Sequence, residues 1–209
     1  MELELVLSFF CASILLTVMP GPDNIFVLTE SLTKGHKQGL AISVGLVSGV
    51  LVHTAASATG LSLILQQSAI AFQFVKYLGA GYLFYLTYQA IGEKHEIVTI
   101  AHSSNVEVLN VSKLIQKGFL MNVLNPKVSL FFVAFLPQFI SAKGLPIPAQ
   151  MFILGVLFMV QALLIFSLIS LLSGKLSKYL NNLRFWQFTK WTKVGALGIL
   201  GVALAFSKK

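Results

Sequence analysis

Two short segments place polar and ionisable residues inside otherwise apolar sequence: Met19-Pro20-Gly21-Pro22-Asp23-Asn24 and Asn122-Val123-Leu124-Asn125-Pro126-Lys127. Proline has no backbone N–H and clashes with the preceding turn, so each segment must open a helix and leave carbonyls one turn upstream without their partners. In hydrocarbon such groups are tolerated only where protein or a water-filled cavity satisfies them. The opened ends have useful chemistry. A helix start presents free N–H groups and a positive dipole end, which suit a carboxylate. Free carbonyls at the other end suit an ammonium group. One broken helix can therefore hold both ends of an amino acid, with Lys127 assisting at the carboxylate and Asp23 receiving the ammonium or exchanging a proton with it.

Asp23 is the clearest carboxylate inside an apolar stretch, with Glu30 at a helix end, and Lys127 is the clearest deeply placed lysine. A charge at the centre of a bilayer costs on the order of 2.5–3.5 kcal/mol even on permissive scales, so each must be paired, solvated or neutralised. Two compatible readings of Asp23 stand: contact with Lys127, or capping of the short helix that resumes after the prolines. His53 is read either as a proton relay or as a neutral histidine hydrogen-bonded to a neighbour. Tyr82, Tyr85 and Gln89 share a helix face, and Gln161 lies in another apolar stretch. Each of these lines a cavity or hydrogen-bonds between helices. His95 and His102 lack the clustered ligands of a metal site. No nucleophile–base pair, phosphate loop or His-Glu-x-x-His helix is present. The expectation is therefore no enzyme, no cofactor and no metal.

The surrounding composition says what positions these residues. The chain has 209 residues, 56% hydrophobic and 11% charged, where soluble domains carry about 25% charged residues. Lipid is the solvent that makes this reasonable. The charge of +8 is spread over gaps between apolar runs, which is not a nucleic-acid footprint, and the single cysteine, Cys11, excludes a disulfide framework. The acidic start Met1-Glu2-Leu3-Glu4 is unlike a secretory signal and is read as opening a retained membrane helix.

Spanning the hydrocarbon takes about 20 apolar residues. Six stretches qualify, near 3–28, 39–65, 69–91, 115–140, 149–173 and 191–207. The polar segment 92–113 links two groups of three, about 1–91 and 114–209, within a single integral membrane domain. The proline breaks fall in the first stretch of each group. Paired interruptions at corresponding positions point to a transporter binding site, and halves of three spans have opposite orientation, so a 3+3 inverted repeat is expected.

Orientation follows from the basic residues. Lys34, Lys37, Lys94, Lys113, Lys117, Lys175, Lys178, Arg184, Lys190 and Lys193 follow odd-numbered stretches, against Lys76, Lys143, Lys208 and Lys209 on the other side. Ten against four puts the odd loops in the cytosol and both termini outside, with Trp186 and Trp191 flanking the start of the sixth stretch as an interfacial belt. Ala41, Gly45, Gly49, His53 and Ser57 recur every four residues, and Gly195, Gly198 and Gly201 every three. Small residues at such spacing allow close helix packing. A substrate path along them is the sharper alternative, and contacts within one chain or within a homo-oligomer are both open.

Taken together, Pro20-Gly21-Pro22-Asp23-Asn24, Gly35, Gly39-Leu40, Gly45, Gly49, Gly60-Leu61, Lys76-Tyr77-Leu78-Gly79-Ala80-Gly81-Tyr82-Leu83, Gly118, Asn125-Pro126-Lys127 and Leu136-Pro137-Gln138-Phe139 resemble the LysE/RhtB family of bacterial amino-acid exporters nearly end to end. The resemblance implies six membrane helices in the bacterial inner membrane and efflux of amino acids or close derivatives, driven by the proton gradient. Its two motifs carry over onto residues 20–24 and 125–127 without a break. Two other classes remain as rivals: an exporter of metal ions or another small solute on the same scaffold, and a non-transporting membrane protein that assembles with a partner.

Overall fold

A computed structural model describes residues 2–63, 68–94, 110–141, 144–180 and 182–207, and among them every regular element is helical. The first apolar stretch is two helices, α1 (Leu3–Val18) and α2 (Pro22–Lys34), bent by 56° across residues 19–21. The fourth is likewise α5 (Val111–Val123) and α6 (Pro126–Leu130), the latter running on through a π turn, Phe131–Phe135, into a 3-10 turn, Leu136–Phe139. That pair bends by 50°. Both breaks stand where proline requires them.

Between them lie α3 (His36–Ala56), prolonged by a π turn at Ser57–Leu61, and α4 (Ala69–Gly92). After them come α7 (Ile147–Leu171), a short α8 (Ser173–Leu180) and α9 (Leu183–Ala205). Two helices, His36–Leu61 and Ile147–Leu171, are long and apolar enough to cross a membrane, and up to four spans result if each bent pair counts as one. α9 begins eight residues earlier than the sixth stretch was expected to, so Trp186 and Trp191 lie within the helix and do not flank its start. The middle of the polar segment, with His95 and His102, lies outside the described residues, as do Lys143, Lys208 and Lys209.

α3 is the centre of the fold, packing against α2, α5 and α7. Its crossing with α5 brings backbone against backbone. A Cβ on Gly45 would stand 2.1 Å from the Ile115 carbonyl oxygen, one on Gly118 would stand 2.4 Å from that of Ile42, and one on Gly49 would meet Asn122 at 2.8 Å. Real Cβ atoms do not approach so closely, so these glycines are fixed by the packing. The crossing lays His53 of α3 beside Asn122 of α5. The glycines of α9 differ: Gly201 packs on the Phe84 ring, but Gly195 faces open space and Gly198 only brushes Thr87. Close contact at glycine is therefore found on α3 and at one position on α9.

α4 and α9 pair with each other; α4 meets the core at the Phe131–Phe135 turn, and α9 also touches α8. Lys76 Nζ, buried near the start of α4, donates to the Ser207 carbonyl at 2.9 Å and closes the end of α9. Phenylalanines from three elements fill one side of the core. Phe9 lies 5.7 Å from Phe131, ring to ring, and Phe132 meets Phe158 edge-on at 5.2 Å. α7, by contrast, carries Phe152, Val156, Val160, Leu164 and Leu168 on its exposed side. A helix apolar all round that still exposes one face is suited to lipid.

Candidate functional site

The backbone accounting at the first break is specific. Along an unbroken helix the Leu16 carbonyl would accept from residue 20 and the Val18 carbonyl from residue 22, and both positions are proline. Side chains supply the missing donors. Lys127 Nζ donates to Leu16 O at 3.2 Å and to Met19 O at 3.5 Å. Asn24 Nδ2 reaches back to Val18 O at 3.2 Å, Thr17 O at 3.1 Å and Met19 O at 3.0 Å.

At the second break the orphan is Asn122 O, whose partner would have been Pro126. It accepts from the Asn125 N–H at 2.9 Å and from His53 Nε2 at 3.1 Å. A carbonyl only accepts, so Nε2 carries the hydrogen. The geometry is that of the hydrogen-bonded histidine, one of the two readings of His53.

Asn125 joins the breaks. Its Oδ1 accepts from the Lys127 N–H at 3.0 Å, capping α6, while its Nδ2 donates to Asp23 Oδ2 at 2.6 Å. Asp23, Asn122 and Asn125 are all buried. Asp23 does not cap α2: Gly21 holds that position, and no side chain bonds there. Nor does Lys127 serve the N–H end of the first break; its ammonium sits at the carbonyl end. Among the described residues the ion pairs are Lys34–Glu30 and Lys193–Glu93, so Asp23 and Lys127 share surroundings without a direct salt bridge. Glu30, in the last turns of α2, is buried and holds Lys34 at 2.9 Å.

Asp23 and Lys127 line one small cavity of about 10 Å³, together with Leu16, Thr17, Asn122 and Phe158. That is on the order of the space one water needs. Asn122 Oδ1 and Gln161 Oε1 are buried without a hydrogen-bond partner. Gln161 stands against α1, donating to Thr17 Oγ1 at 2.9 Å and to Ser13 O at 3.5 Å. Of the expected site residues, Pro20, Gly21, Pro22, Asp23, Asn24, Asn125, Pro126, Lys127 and His53 thus come together, with Gln161 one residue from the cavity wall. A Cβ on Gly21 would lie 3.4 Å from Lys127 Nζ, at ordinary contact distance.

Tyr82 and Tyr85 lie elsewhere. Their rings meet at 5.6 Å, Tyr85 OH accepts from Gln89 Nε2 at 2.8 Å, and Tyr85 is half exposed on α4. Gly45 and Gly49 do not line the cavity; they set the crossing behind it. Thr17 is a wall residue outside both polar segments, and Asn122 is one that opens the second segment but lies outside its Asn125-Pro126-Lys127 motif. The available signals were the Ser13–Thr17 hydroxyl pair one turn apart in an apolar helix, and an amide four residues before Pro126.

Broken helices that meet at a cavity lined by Asp23 and Lys127, within a bundle of apolar helices, point to a membrane translocator. The LysE type translocator family profile matches residues 14–208, and the chain belongs to that family. Similar proteins include the uncharacterized membrane protein YrhP of Bacillus subtilis, 30% identical over 86% of this chain and 88% of its own length. A homoserine/homoserine lactone efflux protein of Salmonella typhi is 29% identical over 100% of this chain and 99% of its own. A leucine efflux protein of Salmonella choleraesuis is 27% identical over 71% of this chain and 69% of its own. No solved structure matches the chain.

Proposed function

We propose that the protein is a secondary exporter of amino acids or close derivatives, powered by the proton gradient across the bacterial inner membrane. The observation that carries this reading is the interlocking of the two breaks around a cavity lined by the carboxylate residue Asp23 and by Lys127. A zwitterion needs such a set of opposite charges. The efflux proteins named above, similar along most of their length, support the same substrate class.

In this reading α4 and α9, 24 and 23 residues long, complete six spans with the two bent pairs, α3 and α7. At about 1.5 Å per residue each is long enough to cross the hydrocarbon. The basic residues then set the odd loops in the cytosol and both termini outside. The similar bends of 56° and 50° in the first span of each half support an inverted repeat. Asp23 is the proton-coupling residue. Substrate binds at the breaks from the cytosol, and proton entry from outside releases it.

Cells overproducing the protein, loaded with single amino acids from a panel of dipeptides, test this. One amino acid should appear outside faster, and collapsing the proton gradient should abolish the gain. No gain for any amino acid, with the protein shown to be in the membrane, overturns the reading in favour of another solute or of an assembly role. Asp23→Asn keeps an oxygen that can accept from Asn125, so it should fold and insert while losing gradient-driven export. Normal export by that variant would remove Asp23 from the coupling role.

A further inference from the structure

The ammonium of Lys127 occupies an unusual place. It lies on the backbone carbonyls of Leu16 and Met19, at the broken end of α1, in the cavity it shares with the Asp23 carboxylate. Carbonyl oxygens at a helix C-terminal end, with a carboxylate nearby, are what a primary ammonium ion seeks. Asn122, a residue only 2% exposed, lines the same cavity. The Lys127 stem comes from the far side of the second break, so its head is a guest in the first break and belongs to neither of that break's helices.

We infer that the Leu16 and Met19 carbonyls, together with Asp23, form the subsite for the substrate's α-ammonium, and that Lys127 fills it as a tethered stand-in when substrate is absent. This deepens the exporter reading and rests on it for the identity of the ligand. Three features of the site support it. The cavity left beside Lys127 is about 10 Å³, so an amino acid cannot enter alongside the lysine. The incoming ammonium and the lysine offer the same three N–H donors, so one can replace the other without leaving Leu16 O unpaired. Since an unsatisfied buried carbonyl is costly in hydrocarbon, such an exchange keeps the break closed to lipid and water throughout. Lys127, once displaced, is free to meet the substrate carboxylate.

The test uses the purified protein in detergent and small amines as probes. Lys127→Ala vacates the stem and the head. Lys127→Met keeps most of the stem and vacates only the head. Methylammonium chloride should raise the thermal midpoint of both variants by about 2–4 °C, and tetramethylammonium chloride, with equal charge and no N–H, should not. Wild type, with the subsite filled by its own lysine, should respond to neither. Equal responses to the two salts in the variants, or a wild-type response to methylammonium as large as theirs, overturns the inference. If a variant does not fold in plain buffer, recovery of folded protein by methylammonium alone is expected, and recovery by neither salt counts against the subsite. Amine rescue without amino-acid export would leave the subsite standing and remove the exporter reading; export without rescue would do the reverse.

Discussion

The first helix break is held together by side chains from both breaks, and the second is held mainly by its own local groups. At residues 19–21 two prolines remove two donors, and the freed carbonyls depend on Asn24 and on Lys127, which is more than a hundred residues away in sequence. At residues 124–125 one proline removes one donor. There Asn125 turns back, donating its N–H to Asn122 O while its Oδ1 accepts from the Lys127 N–H, and of the donors to the freed carbonyl only His53 comes from another helix. The second break can therefore form from local sequence, while the first is complete only once the second lies beside it. A binding site built this way couples two parts of the fold through a few polar contacts, and those contacts can be exchanged without unpacking the apolar core.

Removing the residue that serves both breaks should do the most damage. Asn125→Ala deletes the hydrogen bond to the Asp23 carboxylate, worth about 1.5–3 kcal/mol for a charged partner, and a helix cap worth about 1 kcal/mol. A fall in the thermal midpoint in detergent, with loss of export, is expected. A variant as stable as wild type would mean that the breaks are not locked to each other. Asn24→Ala comes next. It strips the donor shared by the Thr17, Val18 and Met19 carbonyls, and one unsatisfied buried acceptor costs about 1–3 kcal/mol. The same melting experiment reads it.

His53→Ala should be milder, about 0.5–1.5 kcal/mol, because the Asn125 N–H still reaches Asn122 O. Its ranking against Asn24→Ala is the sharpest check on the contrast between the breaks. If losing His53 costs more than losing Asn24, the second break is the one that leans on side chains.

The sequence made the breaks legible because proline acts locally: Pro20, Pro22 and Pro126 dictate which carbonyls lose their partners wherever the helices go. Their positions, the apolar stretches and the α3 glycine face needed nothing from tertiary structure. The destinations of the replacement donors did need it. That Lys127 goes to Leu16 O, and not to the N–H end of the break, depends on how α5 crosses α3 and on where the bend aims α6. Asp23 was open to capping α2, but Pro22 takes the first helical position and leaves the cap to Gly21. The early start of α9 escaped notice because Leu183–Lys190 is too polar to read as a span, yet Asn182 Oδ1 accepts from the Arg184 and Phe185 N–H groups and starts the helix there. Thr17 and Asn122 gained meaning only when the cavity placed them together.

The smallest effect is expected where polar residues shared a helix face but not the site. Tyr85→Phe removes a hydroxyl from a half-exposed ring on α4, and with it one bond to Gln89 one turn away. A surface change of this kind stays within about 0.5 kcal/mol. Neither Tyr82 nor Tyr85 touches the cavity between the breaks, so the half-saturating substrate concentration and the maximal export rate should both match wild type. The variant matters because the alternative is concrete. If Tyr85→Phe folds normally and yet slows export several-fold, the substrate passes along the face of α4. The two breaks would then be devices that let the helices bend, and the exchange of donors between them would be a property of the scaffold and not of the transport site.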